Sequence, residues 1–391
     1  MLRFSEVIIS LLLIYVFYLT SCTSASLRFD SDAKGNRIVL DTATILLKAD
    51  TLLSVTPKTI TSFPIARSAG SIHDYYSEGR YWWPNPDDPD GPYIRKDGQS
   101  NPNLFTKHRN AVSELANAVS ALTVAYLKTG EQKYATHAKA HVLAWYVNAE
   151  TRMNPRLDYS QAIKGINEGR GIGIIDTRSF IYVARSIELL HGANVFSVEE
   201  WNDIQKWFSE FGDWLTTSQF GIDERDNNNN HSTWWGAQLA AFGRVADRKD
   251  LLDTARVQYQ RQLQVQMNER GVFPEEVSRT RPFHYTKYNL DAFTVLAKLL
   301  SEEGTDLWAF TSAQGDLRKA IDWYMSFNGK LEEWPYPSDL EPELAYHPAE
   351  YLLLIANQDS AYAKTFISAT VRQKVKYPER LTILTWPVNY H

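Results

Sequence analysis

Two stretches of this 391-residue chain carry side chains whose types and spacing suit proton chemistry. The first is "DNNNNHSTWWGAQLAAFG", Asp226 to Gly243, in which Asn230 and His231 precede Trp234 and a small-residue apolar run. Asn is a poor helix former and a good cap, so the run predicts a loop that caps a helix beginning near Ser232, with His231 at its mouth. Alone, this stretch reads first as a solvated polar loop. The second is "NERGVFPEEVSRTRPFHYTKYN", Asn268 to Asn289, which packs Arg279, Arg281, His284, Tyr285, Lys287 and Tyr288 into ten residues. An amide, an imidazole, guanidinium groups and phenols together suit one difficult reaction, removal of the proton next to a carboxylate and loss of oxygen from the neighbouring carbon. That proton, at C5 of a uronic acid, is barely acidic while the carboxylate is charged. Asn and Arg would hydrogen-bond the carboxylate as an oxyanion hole does, a His or ionised Tyr would take the proton, and a Tyr hydroxyl would protonate the leaving oxygen.

These residues need a frame. Segments such as "FTKHRNAVSELANAVSALTVAYLKTG", "DTRSFIYVARSIELLHGA", "SVEEWNDIQKWFSEFGDWLTTS", "RKDLLDTARVQYQRQLQVQM", "PELAYHPAEYLLLIANQ" and "SAYAKTFISATVRQ" place apolar residues three and four apart. About a dozen helices with hardly any alternating pattern predict an all-α protein, an (α/α) toroid of about six to seven antiparallel hairpins, with an incomplete ring or open solenoid as the alternative. Two long segments break the rhythm: the Arg/Tyr-rich one above, and His73 to Asn103, which contains "YWWPNP" and is rich in Pro, Gly and Asp. Both predict functional loops. In the latter, Tyr75, Tyr76, Arg80, Trp82 and Trp83 are candidates to hold sugar, and a rigid packed turn is the competing reading. Arg178 is a candidate for an acidic subsite, a structural interaction with Asp176 being the other option.

The termini and composition bound the setting. The run "VIISLLLIYVFYL" followed by "LTSC" resembles a bacterial lipoprotein signal, which implies lipidation at Cys22, a leader over 1–22 and a single domain over 23–391. Cys22 is the only cysteine, which excludes an internal disulfide and cysteine-based metal clusters. With 41 basic and 46 acidic residues nothing suggests nucleic acid, so membrane contact is expected only through the lipid anchor. No metal or cofactor is expected, and neither is an oligomer. Twelve Trp and 21 Tyr are enough to line a groove, although most must be core.

In "NNHSTWWG" and "RPFHY" the chain resembles the family-5 alginate lyases, and it is most similar to the related family-38 polysaccharide lyases, from about Ser71 onward. The resemblance implies β-elimination on alginate or another polyuronate, giving 4,5-unsaturated ends, in the bacterial envelope. In the family-5 pattern an Asn-His pair is followed 54 positions later by a Tyr, as Asn230 and His231 are by Tyr285 here, which implies those roles for the three. The family's arginine lies seven residues before the Tyr, where this chain has Ser278; Arg279 takes its place, with Arg281 the alternative and a candidate subsite cation. Trp234 and Tyr288 are candidate substrate contacts, Tyr288 also being the alternative acid. The phenol of Tyr285 would ionise more easily beside Arg279 and a charged His231. Two other classes remain: an inverting glycoside hydrolase using carboxylates from among Glu168, Asp176, Glu275 and Glu276, and a lipoprotein that only captures glycans.

Overall fold

The computed structural model describes residues 42–302, 304–327, 330–337, 354, 362 and 377–387. The proposed leader with Cys22, and most of the two helices expected after residue 341, lie outside them.

Four long helices form an inner row: α2 (Lys107–Thr129), α4 (Phe180–Gly192), α7 (Asn230–Val245) and α10 (Pro282–Ser301). In that order each packs on the next. An outer layer covers them: α3 (Gln132–Tyr146) on α2, α5 (Val198–Thr217) on α7 and α3, α8 (Lys249–Gln266) on α7 and α10, and α11 (Leu317–Met325) on α10. At the ends, α1 (Thr42–Leu52) packs on α2, and α12 (Pro378–Thr385) bridges α2 and α4. This is the helical-hairpin architecture expected, and four of its hairpins fall among the described residues.

Local chemistry explains the boundaries. Gly130, at φ 73°, ends α2 in the left-handed conformation that glycine adopts without strain. A capping box between Ser197 and Glu200 starts α5. Asn229 caps α7 by accepting from the backbone N–H of His231, so that helix begins two residues earlier than expected. Every residue of α7 except His231 is buried, the pattern of a helix surrounded by others. Its small residues are what allow this: a Cβ on Gly236 would come within 3.0 Å of Leu296, and one on Gly243 within 3.1 Å of Leu251.

The tryptophans mostly serve packing. Tyr146, Phe180, Trp207, Phe208, Phe211 and Phe242 form one aromatic cluster between the layers, with Tyr146 and Trp207 edge to face at 4.5 Å. Among the described residues, no helix is long and apolar enough to cross a membrane.

The two long segments are more ordered than loops. In the first, β1 (Tyr76–Glu78) pairs in parallel with β4 (Tyr159–Ala162), and β2 (Trp82–Trp83) pairs antiparallel with β3 (Ile94–Arg95). The second folds into α9 (Pro274–Val277) and then the start of α10. Each of those helices opens with Pro at its first position, where a missing N–H costs nothing. Tyr285 and Tyr288 therefore stand on a helix, one turn apart.

Candidate active site

The inner helices turn their N-termini to the same end of the molecule. Arg109 at the start of α2 reaches Asp176 just before α4; Arg178, also before α4, donates to the Tyr288 hydroxyl on α10; and Trp234 of α7 lies 5.3 Å from the Tyr288 ring. Aligned helix N-termini carry partial positive charge, so this end favours an anion despite the negative net charge of the chain.

His231 stands in the first turn of α7 and its Nδ1 lies 2.8 Å from Oε1 of Glu224, a side chain with no exposed surface. A carboxylate only accepts, so Nδ1 carries a proton, and in the neutral ring the lone pair is on Nε2. That is the geometry of an oriented general base. Glu224 belongs to the short helix α6 (Gln219–Arg225) and also accepts from Asn227 Nδ2 at 2.9 Å.

Asn230, 1% exposed, is held by Glu276 of α9. Its Nδ2 is 2.9 Å from both carboxylate oxygens, and its backbone N–H donates to Oε1 at 2.5 Å. Burial raises the Glu276 carboxyl to about 7, against the lowering effect of the Asn230 hydrogen bonds, Arg279 and His231.

Arg279 lies in the turn between α9 and α10. Its guanidinium grips Asp97 of the first long segment through Nε and Nη2, at 3.2 and 3.0 Å, and Nη2 also donates to the Tyr285 hydroxyl at 2.9 Å. The Tyr285 hydroxyl meets that of Tyr81 at 2.8 Å. Burial and the neighbouring Tyr81 phenol raise the Tyr285 pKa, and Arg279 only partly opposes them. The expectation of an easily ionised phenol is therefore corrected: desolvation outweighs the adjacent guanidinium, and Tyr285 holds its proton.

The remaining candidates divide into two groups. Arg178 sits over Trp234 and Tyr288, 5.5 and 5.2 Å from the ring centres, and burial raises the Tyr288 phenol to about 12 against the pull of Arg178. Desolvation, then Lys287, Arg281, Arg178 and Arg80, lower the pKa of His284, so these cations share one neighbourhood. Arg80 is exposed, Arg281 precedes α10 half-buried, and half-buried Trp82 lies 5.8 Å under the Arg170 guanidinium. By contrast Tyr75, Tyr76 and Trp234 are no sugar platforms. Tyr75 is fully buried with its hydroxyl on Asp176, Tyr76 is 4% exposed with its hydroxyl on Glu78, and Trp234 is 2% exposed beneath Tyr288.

Asp176 takes part in no ion pair with Arg178; it accepts from Ser77, Gln161, Arg109 and Tyr75, a buried anchor for the first segment. This also disposes of paired hydrolytic carboxylates. Asp176 is locked, Glu276 is spent on Asn230, and Glu168 and Glu275 are exposed on separate segments. Among the described residues there is no group of three metal-ligating side chains.

Sequence reasoning missed Glu224, Tyr81 and Asp97. Glu224 sits in the charged run "DERD", Tyr81 beside two tryptophans, and Asp97 in the turn "RKDG", contexts that signal surface rather than site.

Comparisons with known proteins follow the geometry. The family model described as alginate lyase matches residues 59–334. The solved structure of an alginate lyase from Bacteroides ovatus superimposes with a TM-score of 0.76 at 31% identity, over 89% of this chain and 93% of that one. An alginate lyase of Pseudomonas aeruginosa is 26% identical over 176 residues, which is 41% of this chain and 47% of that protein. The chain thus spans about half the length of the curated relatives it matches. Alginate lyase A1-III from Sphingomonas species A1, at 16% identity and a TM-score of 0.54 over 89% and 95% of the two chains, shares the fold; a variant of A1-III has been crystallised with a tetrasaccharide.

Proposed function

Because this chain belongs to the alginate lyase family, we propose that it is a polysaccharide lyase that cleaves alginate or a related polyuronate by β-elimination. The observation that carries this reading is the phenol of Tyr285, held on Arg279 Nη2 at 2.9 Å, in an end of the fold that also presents Asn230 and the Glu224-oriented imidazole of His231.

The chemistry then divides as follows. The uronate carboxylate sits against Asn230 and Arg279, which stabilise the second negative charge that builds as the C5–H bond breaks. His231 Nε2 takes the C5 proton, and the imidazolium formed is stabilised by Glu224. Electrons from that bond form the C4–C5 double bond and expel the glycosidic oxygen, to which Tyr285 gives its proton. The buried state of Tyr285 favours this acid role. Asn230 and Tyr285 are only 1% and 7% exposed, and Tyr81 and Asp97 occupy the hydroxyl of Tyr285 and the fork of Arg279, so substrate entry displaces that segment. The cations Arg80, Arg178, Arg281 and Lys287 provide for neighbouring uronates.

In this reading the mature chain is a monomer, lipid-anchored at Cys22 in the bacterial envelope. The family-38 assignment within the lyases is part of the same proposal. The test is to incubate the soluble form with polyuronates and follow near-ultraviolet absorbance. Elimination produces a conjugated product; reducing ends without absorbance would mean hydrolysis, and neither would mean binding alone.

A further inference from the structure

Glu276 has no part in the elimination as drawn, yet it is wholly buried beside Asn230. Among the described residues no cation forms an ion pair with it. The groups that face it are Asn230 and His231 from α7, with the positive end of that helix, and Arg279 from the turn before α10. Both of its oxygens lie against Asn230 Nδ2, while Asn230 Oδ1, equally buried, has no hydrogen-bond partner.

This arrangement conflicts with a carboxylate-binding role for Asn230. One N–H of the amide is shared between the two oxygens of Glu276, so what is left for substrate is the second N–H beside the carbonyl oxygen, and that carbonyl oxygen repels a uronate carboxylate. A protonated Glu276 removes the conflict. Its O–H donates to Oδ1, its other oxygen still accepts the backbone N–H of Asn230, and the amide turns so that Nδ2 is released to the ligand. The orphaned Oδ1 is the acceptor that such a proton requires.

We propose that Glu276 is a positioning residue whose protonation selects which end of the Asn230 amide is offered to substrate, the neutral acid being the form that binds uronate. Its elevated titration near neutrality makes both forms accessible. Uronate binding then takes up a proton, and activity falls on the alkaline side as Glu276 ionises. The inference rests on the lyase reading of the site.

The experiment has one arm that needs no activity. In the full chain carrying carboxyl-labelled glutamate, wild type should show a carbon resonance, absent from Glu276→Gln, that titrates near neutrality, and the Asn230 side-chain amide signals should move on the same curve. Titration in the ordinary glutamate range near about 4, or an Asn230 amide indifferent to it, overturns the proposal. In the second arm, kcat/KM on polymannuronate is followed against pH. Glu276→Gln, a permanently neutral isostere whose Nε2 donates to Oδ1, should lose the alkaline fall. Glu276→Ala should drop on the order of 100-fold at every pH, as if the Asn230 donor were absent. A Glu276→Gln profile superimposable on wild type also overturns it. Should wild type make no unsaturated product from any polyuronate, the lyase reading fails while the resonance arm still decides the coupling of Glu276 to Asn230.

Discussion

Glu224 accepts the Nδ1 proton of His231 at 2.8 Å and, with no exposed surface of its own, fixes both the tautomer and the tilt of the ring. Replacing it with Gln allows an amide N–H to face Nδ1 and moves the ring proton to Nε2, where it blocks the base. Glu224→Gln should therefore lower kcat with little change in KM, by up to about 10²- to 10⁴-fold, the span attributed to general-base assistance. Nitrogen chemical shifts of His231 should show the tautomer change. Unaltered kcat would remove His231 as the base.

Arg279 is bound at once to Asp97 and to Tyr285, so its loss should be felt twice. Arg279→Ala should reduce turnover on the order of 100- to 1,000-fold, the cost of one oxyanion-stabilising donor. If Arg279→Ala is nearly silent while Arg281→Ala is inactive, the carboxylate is neutralised by Arg281.

Stereochemistry separates Tyr285 from His231. In mannuronate the C5 hydrogen and the C4 oxygen lie on one face of the ring, whereas in guluronate the hydrogen is on the opposite face and needs a separate base. Tyr285→Phe should abolish cleavage of both polymers. His231→Ala removes the base from both reactions and should damage guluronate cleavage more. Only in mannuronate does the C5 hydrogen lie on the face of Tyr285, where the phenol can stand in as a weak substitute base. Rates on block-pure polymers decide it, and a Tyr285→Phe enzyme at near-normal rate would transfer the acid role to Tyr288.

Asp176 anchors the first long segment from within the core. Burial opposes its charge, but Arg109 and the hydrogen bonds from Ser77 and Gln161 more than compensate, and its pKa is lowered. A lowered folded-state pKa means that the stabilisation is complete above the unfolded value and is lost as pH falls through the folded one. Asp176→Ala leaves Arg109 uncompensated and should cost roughly 3–5 kcal/mol, with thermal melts that lose their steep decline at acidic pH. Melts identical to wild type would refute this role.

Cys22→Ser should release the protein from membranes or block its processing. Fractionation with lipid labelling checks this, and an unchanged distribution would remove the anchor from the proposal.

Amphipathic period, caps and the small-residue run of α7 made the helical fold legible, because those signals are local: 3.6-residue spacing, a glycine at Gly130, a capping Asn at Asn229. The spacing from the Asn-His pair to the tyrosine likewise marked Asn230, His231 and Tyr285 as candidates, whereas the arginine spacing falls on Ser278 and left Arg279 and Arg281 as alternatives. What they touch was not legible. Glu224 and His231 are seven residues apart, but Asn230 meets Glu276 across 46 positions, Arg279 meets Asp97 across 182, and Tyr285 meets Tyr81 across 204. A carboxylate in "DERD" and one in "RKDG" look alike in sequence; only packing makes the first a buried partner of an imidazole and the second a clamp on a guanidinium. The same holds for aromatic residues. Tyr75 and Trp82 share one segment, but strand pairing sends Tyr75 into the core and leaves Trp82 half-exposed under Arg170. Burial and charge partners come from distant chain segments, so the protonation states of Tyr285 and Glu276 are properties of the tertiary structure alone.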